Sequence, residues 1–351
     1  MICLCMIVKN EAHVLARCLR SVKPLLSYWV VVDTGSTDGT QKLVWDEMGD
    51  VPGELHERPW KDFASNRNEA LDLCNGKAPY VLVIDADDEL EIRGELPALT
   101  ADVYEVPVLY GNLEFLRPHL FRSDRGLRYK GVIHEYLDTK AKDVLREIVM
   151  HVRGGGARNI DPKKYEKDAL VLEKALETEP NNERYVFYAA QCWRDAGDLE
   201  KACHFYERRT QMVGWVEETY LAFLEIARCL EARGRETPTV VDAYLKAYEY
   251  RPCRAEALYD LARYLRLKDR HALAAVYAQS AASIQRPNDR LFLNVSVYDW
   301  RAKDELAMSL YYVGRHEEAI RINQEILEKA PDEERSRLRT NLQFSLDAVA
   351  S

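Results

Sequence analysis

The residues best suited to chemistry stand together at Asp85-Ala86-Asp87-Asp88-Glu89, four acidic side chains in five positions. Carboxylates this dense repel one another unless a cation or solvent screens them. An all-oxygen ligand set suits Mg²⁺ or Mn²⁺, which commonly bridge to substrate phosphates. A solvated acidic turn is the competing explanation, and the short run alone does not decide between them. A helix-loop-helix calcium loop is excluded, because its glycine is missing and the apolar run Tyr80 to Ile84 before the acids reads as a strand.

The elements around this run make the metal reading the better one. Ile2 to Val8 is a continuous apolar run, as a buried parallel strand requires. A helix follows, with Leu15, Cys18, Leu19 and Val22 at helical spacing. Trp29 to Val32 is a second buried strand, stopped by Asp33-Thr34-Gly35-Ser36, and Thr37 or Asp38 is the expected cap of the next helix. Phe63 to Leu73 reads as a further helix and Tyr80 to Ile84 as a third buried strand. Such alternation predicts a mostly parallel α/β sheet, whose ligands bind beyond the carboxyl ends of the strands. There the three strands end in Lys9-Asn10-Glu11, Asp33-Thr34 and Asp85-Ala86-Asp87, which makes one candidate site. Short β segments with turns are expected from Tyr104 to Leu137. Gly154-Gly155-Gly156 reads as a connection between domains rather than a phosphate-cradling loop, since no strand-to-helix fingerprint surrounds it.

After Asp161-Pro162 the chain reads as helix to its end, and it repeats. Ala190, Trp193, Gly197, Ala202 and Tyr206 recur in register as Ala262, Leu265, Asp269, Ala274 and Ala278, and again as Ala307, Leu310, Gly314 and Ala319. Ala227, Leu230, Gly234, Tyr244 and Ala247 fit between them with a small insertion. The pattern resembles the tetratricopeptide repeat, a helix pair whose face is buried only by stacking on its neighbours.

The order of motifs also carries a resemblance. Met6-Ile7-Val8-Lys9-Asn10-Glu11, then Val31 to Thr40, then Asp85-Ala86-Asp87 are similar to family 2 glycosyltransferases of the GT-A fold. Asp62 to Leu71, Phe121-Arg122 and His134-Glu135 extend the likeness. With the repeats, they resemble a subgroup joining a short GT-A domain to tetratricopeptide repeats, some of whose members S-glycosylate bacteriocin peptides. The resemblance implies a nucleotide-sugar donor, of uridine type first, and inversion at the sugar. It implies a donor site of Val8, Lys9, Asn10, Glu11, Asp33, Arg67, Asp85 and Ala86. Asp33 would bond the base or ribose, Arg67 would lie near the diphosphate or hold the acidic strand end, and Asp85 would reach the ribose, or the metal through water. Asp87 would be the main ligand of Mn²⁺ or Mg²⁺, with His151 and His134 as candidate further ligands. An inverting transfer needs a carboxylate base at the acceptor, and Glu135 is the first candidate and Asp88 the second. Trp60 is a candidate to stack on a sugar ring.

The expected organisation is a GT-A domain over residues 1–157 and an all-α repeat solenoid over 158–351. The acceptor expected is a peptide or protein, docked by the repeats, with a glycan as runner-up. A repeat scaffold with a degenerate sugar-nucleotide domain is a rival, as is transfer to a modified nucleic-acid base. The net charge of −9 disfavours the last, because phosphate contacts call for a basic surface. The eight cysteines form no CxxC pair and, with no signal-like start, suggest a reduced cytoplasmic protein. No apolar run reaches the roughly 20 residues of a membrane span. The sequence leaves the oligomeric state open.

Overall fold

The computed structural model describes residues 1–139 and 143–350. Contacts divide it into two compact units, Met1–Gly197 and Asp198–Ser351. In the first unit β1 (Ile2–Val8), α1 (Leu15–Val22), β2 (Tyr28–Asp33), α2 (Thr40–Met48), β3 (Gly53–Glu57), α3 (Phe63–Cys74) and β4 (Tyr80–Val83) alternate. Then come β5 (Asp88–Ile92), β6 (Val103–Tyr110), β7 (Leu113–Arg122), β8 (Tyr129–Lys130), β9 (Tyr136–Leu137), β10 (Asp143–Val144) and β11 (Ile148–Val152). Two helices, α4 (Lys164–Thr178) and α5 (Glu183–Asp195), complete the unit.

The main sheet runs β3-β2-β1-β4-β7-β6-β11-β5. Its first four strands are parallel, with Val8 beside Asp33 and Cys5 beside Val83. Cys3, Cys5, Val30, Val32, Val81 and Val83 share a core with Ala70, Leu71 and Cys74 of α3. The alternate residues Leu4 and Met6 are fully buried as well, as are Leu15, Cys18, Leu19 and Val22 of α1. Both sheet faces are therefore covered, which explains the unbroken apolar runs.

Three local expectations change. Gly39, at φ 93°, stands at the N-cap of α2 in place of Thr37 or Asp38, although Asp38 still accepts from the Thr40 amide and hydroxyl. The edge strand β3 was not foreseen, because Gly-Glu-Leu-His-Glu carries no apolar run and is held by pairing with β2. The expected short β segments are met by β8 and β9, of two residues each, but before them stands a long hairpin, β6 of 8 residues on β7 of 10, with Pro107 and Pro118 inside its strands.

The second unit is a stack of helices: α6 (Leu199–Thr210), α7 (Val216–Ala232), α8 (Thr237–Tyr250), α9 (Glu256–Arg266), α10 (His271–Ser283), α11 (Ala302–Tyr312), α12 (His316–Leu327) and α13 (Asp332–Ala350). The repeat register is visible at the turns. Gly234, Asp269 and Gly314 stand just beyond α7, α9 and α11 with φ of 65°, 57° and 78°. The next residues, Arg235, Arg270 and Arg315, donate their amides to Leu230, Leu265 and Leu310 at 2.9–3.0 Å. This is the left-handed closure of a helix end, repeated three times, and it favours glycine or a short polar residue. Ala227, Ala262 and Ala307 are buried, where only a small side chain lets paired helices approach.

Candidate active site at the strand ends

The loops after β1, β2 and β4 are sewn together. Asn10, at φ 57°, donates its amide to Ser36 Oγ and accepts from the Thr37 amide. The Glu11 amide donates to Thr40 Oγ1, and the Ala12 amide to Asp38. Helix α1 fixes the acidic turn from behind: Arg17 donates to the Asp87 carbonyl at 2.8 Å and the Cys18 thiol to the Asp85 carbonyl at 3.3 Å. A cleft of about 780 Å³ opens at these ends. Ile7 to Glu11, Thr34, Trp60 to Phe63, Arg67, Asp85 to Asp87, Arg117, Val132 to Glu135, Gly156 to Asn159 and part of α4 line it.

Arg67 is the hinge of the charge network. Its Nε donates to Glu135 at 2.6 Å and its Nη2 to Asp85 at 2.5 Å, while the guanidinium lies 5.6 Å from the centre of the Tyr129 ring. Asp85 and Glu135 hold the Arg67 pKa well above its ordinary value against the cost of burial. The opposing effect holds the Asp85 carboxyl below its usual range, although burial alone would raise it. Asp87 accepts from the Gly156 amide at 3.0 Å and from Asn159 Nδ2 at 3.3 Å, both through Oδ2. Gly156 has no room to be anything larger, since a Cβ there would sit 2.9 Å from that oxygen. The glycine run therefore permits close approach to the acidic turn, which its reading as a simple connection did not anticipate.

Glu11 closes the same corner. Its carboxylate accepts from the Ala157 amide, and burial raises its pKa. Lys164 donates to Asn159 Oδ1 at 2.5 Å, and burial, then Arg158, lowers the pKa of its ammonium. Arg158 pairs with the buried Asp168 and lies 4.8 Å from the Phe63 ring centre, against which Trp60 packs edge-on.

Several expected residues thus meet in one cleft: Val8, Lys9, Asn10, Glu11, Arg67, Asp85, Ala86, Asp87, His134 and Glu135. Others do not reach it. Asp33 is fully buried and spends Oδ1 on the Gly35 and Ser36 amides at 2.7 Å, as a turn-closing group. Its Oδ2 is buried without a partner among the described residues. Asp88 lies behind the cleft, paired with Val152 at the start of β5, where burial and then Asp85 and Asp87 push its carboxyl up to about 8. That position corrects its candidacy as the base. His151 is also corrected, because strand alternation on β11 turns its Nε2 to Glu91 at 2.8 Å, outside the cleft lining.

His134 lines the cleft, but its ring stacks on Tyr188 at 4.1 Å and Arg184 takes its carbonyl. Burial first, then Arg117, Arg184, Arg158 and Lys164, push its pKa down to about 3. Its imidazole is therefore neutral, with Nε2 facing the Cys192 thiol at 3.8 Å, and its role as a metal ligand stays an expectation. Sequence reading missed Arg117, Arg158, Asn159 and Lys164, because each reaches the site from a segment with no motif of its own.

Among the described residues no three His, Cys, Asp or Glu side chains converge into a protein-only metal cage. A divalent cation shared with a diphosphate needs only one or two carboxylates. Asp85 Oδ2 and Asp87 Oδ1 make no hydrogen bond among the described residues, and both side chains line the cleft. The residues present therefore fit a cation held jointly with a ligand.

Residues 3–158 match the family Glycosyl transferase family 2, so the N-terminal region carries a domain of that family. The chain is 35% identical over 145 residues to a TPR repeat-containing protein of Synechococcus elongatus, covering 38% of this chain and 35% of that one. It is 25% identical over 201 residues to the SPbeta prophage-derived glycosyltransferase SunS of Bacillus subtilis, covering 52% of this chain and 46% of the relative. It is also 35% identical over 100 residues to the lipopolysaccharide core biosynthesis glycosyltransferase LpsC of Rhizobium meliloti, covering 28% of this chain and 36% of the relative. The chain thus spans less than half the length of each of these relatives. Among solved structures it is similar to MamA at 17% identity and a TM-score of 0.38, over 49% of this chain and 85% of that one.

Proposed function

We propose that the protein is a metal-dependent glycosyltransferase that moves a sugar from a nucleotide-sugar, foremost a UDP-sugar, to a peptide or protein, with inversion. The observation that carries this reading is the cleft itself: two carboxylates with spare oxygens, Asp85 and Asp87, beside the Arg67–Glu135 pair. The family match and the glycosyltransferase relatives support sugar transfer.

In this reading Val8 and Lys9 line the base pocket, Asp87 is the main ligand of Mn²⁺ or Mg²⁺, and Asp85 contributes through its free oxygen. The cation supplies Lewis-acid neutralisation of the departing diphosphate. Arg67 keeps Asp85 ionised and holds Glu135 in place. Glu135 takes the proton of the acceptor hydroxyl or thiol through the oxygen that Arg67 does not hold. The helical repeats present the acceptor, as stacked helix pairs commonly present grooves to peptides, which is an analogy of fold. A glycan acceptor is the second reading, supported by the likeness to LpsC. No helix among the described residues is long and apolar enough to cross a membrane.

The test is release of UDP from a panel of UDP-sugars with Mn²⁺. No release from any donor, together with no metal-dependent nucleotide binding, removes the enzyme reading and leaves the repeat scaffold. Peptide and glycan acceptors then compete in the same assay, and the one that accelerates release identifies the class.

A further inference from the structure

One side of the cleft comes from beyond the matched family segment. Residues 3–158 carry the match, yet Asn159, Lys164, Lys167 and Asp168 also line the cleft. Lys164 makes no ion pair among the described residues, and its ammonium rests on Asn159 Oδ1 at 2.5 Å. The same amide donates from Nδ2 to Asp87 Oδ2 at 3.3 Å, so the lysine stands one side chain away from the acidic strand end. Arg117 lies near Asp85, whose charge it stabilises, and its guanidinium sits 5.1 Å from the Phe115 ring centre. It too lines the cleft, with neither a hydrogen bond nor an ion pair among the described residues. Of the other basic groups here, Arg67 is engaged with Asp85 and Glu135, Arg158 with Asp168, Lys61 with Glu69 and Lys167 with Asp161, while the exposed Lys9 at the end of β1 also lines the cleft without an ion pair among the described residues.

Arg117 is exposed, whereas Lys164 is half-buried, and a half-buried cation without an ion pair is costly unless a ligand supplies the charge. We propose that Arg117 and Lys164 clamp the diphosphate of a nucleoside diphosphate across the cleft, Lys164 being supplied by α4 from outside the matched segment. This rests on the nucleotide-sugar reading and deepens it. An anion held by these two groups and by a cation on Asp87 is neutralised from both sides as the sugar leaves. The donor bond then breaks with its electron pair staying on the diphosphate, and no proton is needed there. Lys164 and Arg117 act as point and planar donors to phosphate oxygen. An anionic group on the acceptor would suit the same cations, and the number of phosphates on the probe separates the two sources.

The experiment is titration calorimetry with Mn²⁺ on the full chain, using UDP, UMP and uridine, for wild type, Lys164→Ala, Lys164→Arg and Arg117→Ala. The loss of one charge-assisted bond predicts about ten-fold weaker UDP binding in Lys164→Ala and in Arg117→Ala. UMP should lose less and uridine less than two-fold, and Lys164→Arg should recover most of the affinity. Equal UDP affinity in wild type and both alanine variants would overturn the clamp and assign these cations to the acceptor. An equal loss for uridine would overturn it as well, as damage to the pocket. Melting curves accompany each variant, and Arg117→Ala reads the same clamp from β7 if Lys164→Ala does not fold. A wild type that does not bind UDP would instead remove the underlying reading of a UDP-sugar donor.

Discussion

Arg254 in the helical unit and Arg67 in the sheet unit are both buried arginines flanked by carboxylates, and they are finished differently. Arg254 uses five N–H bonds, to Glu256, Asp289 and the carbonyls of Leu291 and Phe292. Glu256 is equally complete, taking Arg254, the Asn294 amide and the Tyr298 hydroxyl. Around Arg67 the account stays open: Asp85, Asp87 and Glu135 each keep an oxygen with no hydrogen bond among the described residues, and all three border the cleft. A closed network rigidifies and specifies a fold. A network with acceptors left over beside a cavity is one arranged for a ligand.

The contrast can be broken most strongly at Glu135. Glu135→Gln should retain UDP binding within two-fold yet lose acceptor-dependent transfer by about 10²–10⁴. Unchanged turnover would take the base role away from it. At Arg254 the opposite pattern is expected. Arg254→Met leaves Glu256 buried without its cation, although Asp289 keeps Arg251, and should cost about 3–5 kcal/mol in urea unfolding, while UDP affinity holds. A cost below about 1 kcal/mol would show that this network does not hold the helices together.

A finer probe is Gly156→Ala. Its backbone, at φ −56°, accepts alanine, so the penalty is the methyl against Asp87 and, less closely, the Glu11 carboxylate. Metal-dependent UDP binding should weaken several-fold with the melting temperature unchanged, and intact affinity would free Asp87 from the glycine constraint. The smallest effect concerns pH. The His134 pKa, lowered to about 3 in the folded chain, lies below its ordinary 6.5. The unfolded chain therefore takes up the proton first, and stability falls as pH drops from about 6.5 toward 3. His134→Gln lacks this loss, so the melting temperature of wild type relative to the variant should decline between pH 7.5 and 5. A constant difference would mean that the imidazole is not shielded.

What could be read in advance follows from the range of the forces involved. β1, β2 and β4 announce themselves because both sheet faces are covered, and the repeats because Gly234, Asp269 and Gly314 must close helix ends. Asp85 and Asp87 follow from their place at a strand end. β3 is silent because pairing, not burial, holds it. Arg117, Asn159 and Lys164 are silent for another reason: their meeting with Asp87 depends on how β7 and α4 return to the strand ends. His151 misled because it stands beside the glycine run in sequence, while the alternation of β11 sends it to Glu91.

The central claim is that Asp87 holds a divalent cation together with the donor diphosphate, and one titration tests it most directly. UDP is titrated into wild type and Asp87→Ala, each with Mn²⁺ and with EDTA, with circular dichroism confirming the fold. The account predicts tight binding only for wild type with Mn²⁺, and loss of that binding in the other three samples. Near wild-type affinity in Asp87→Ala, or in EDTA, would contradict it.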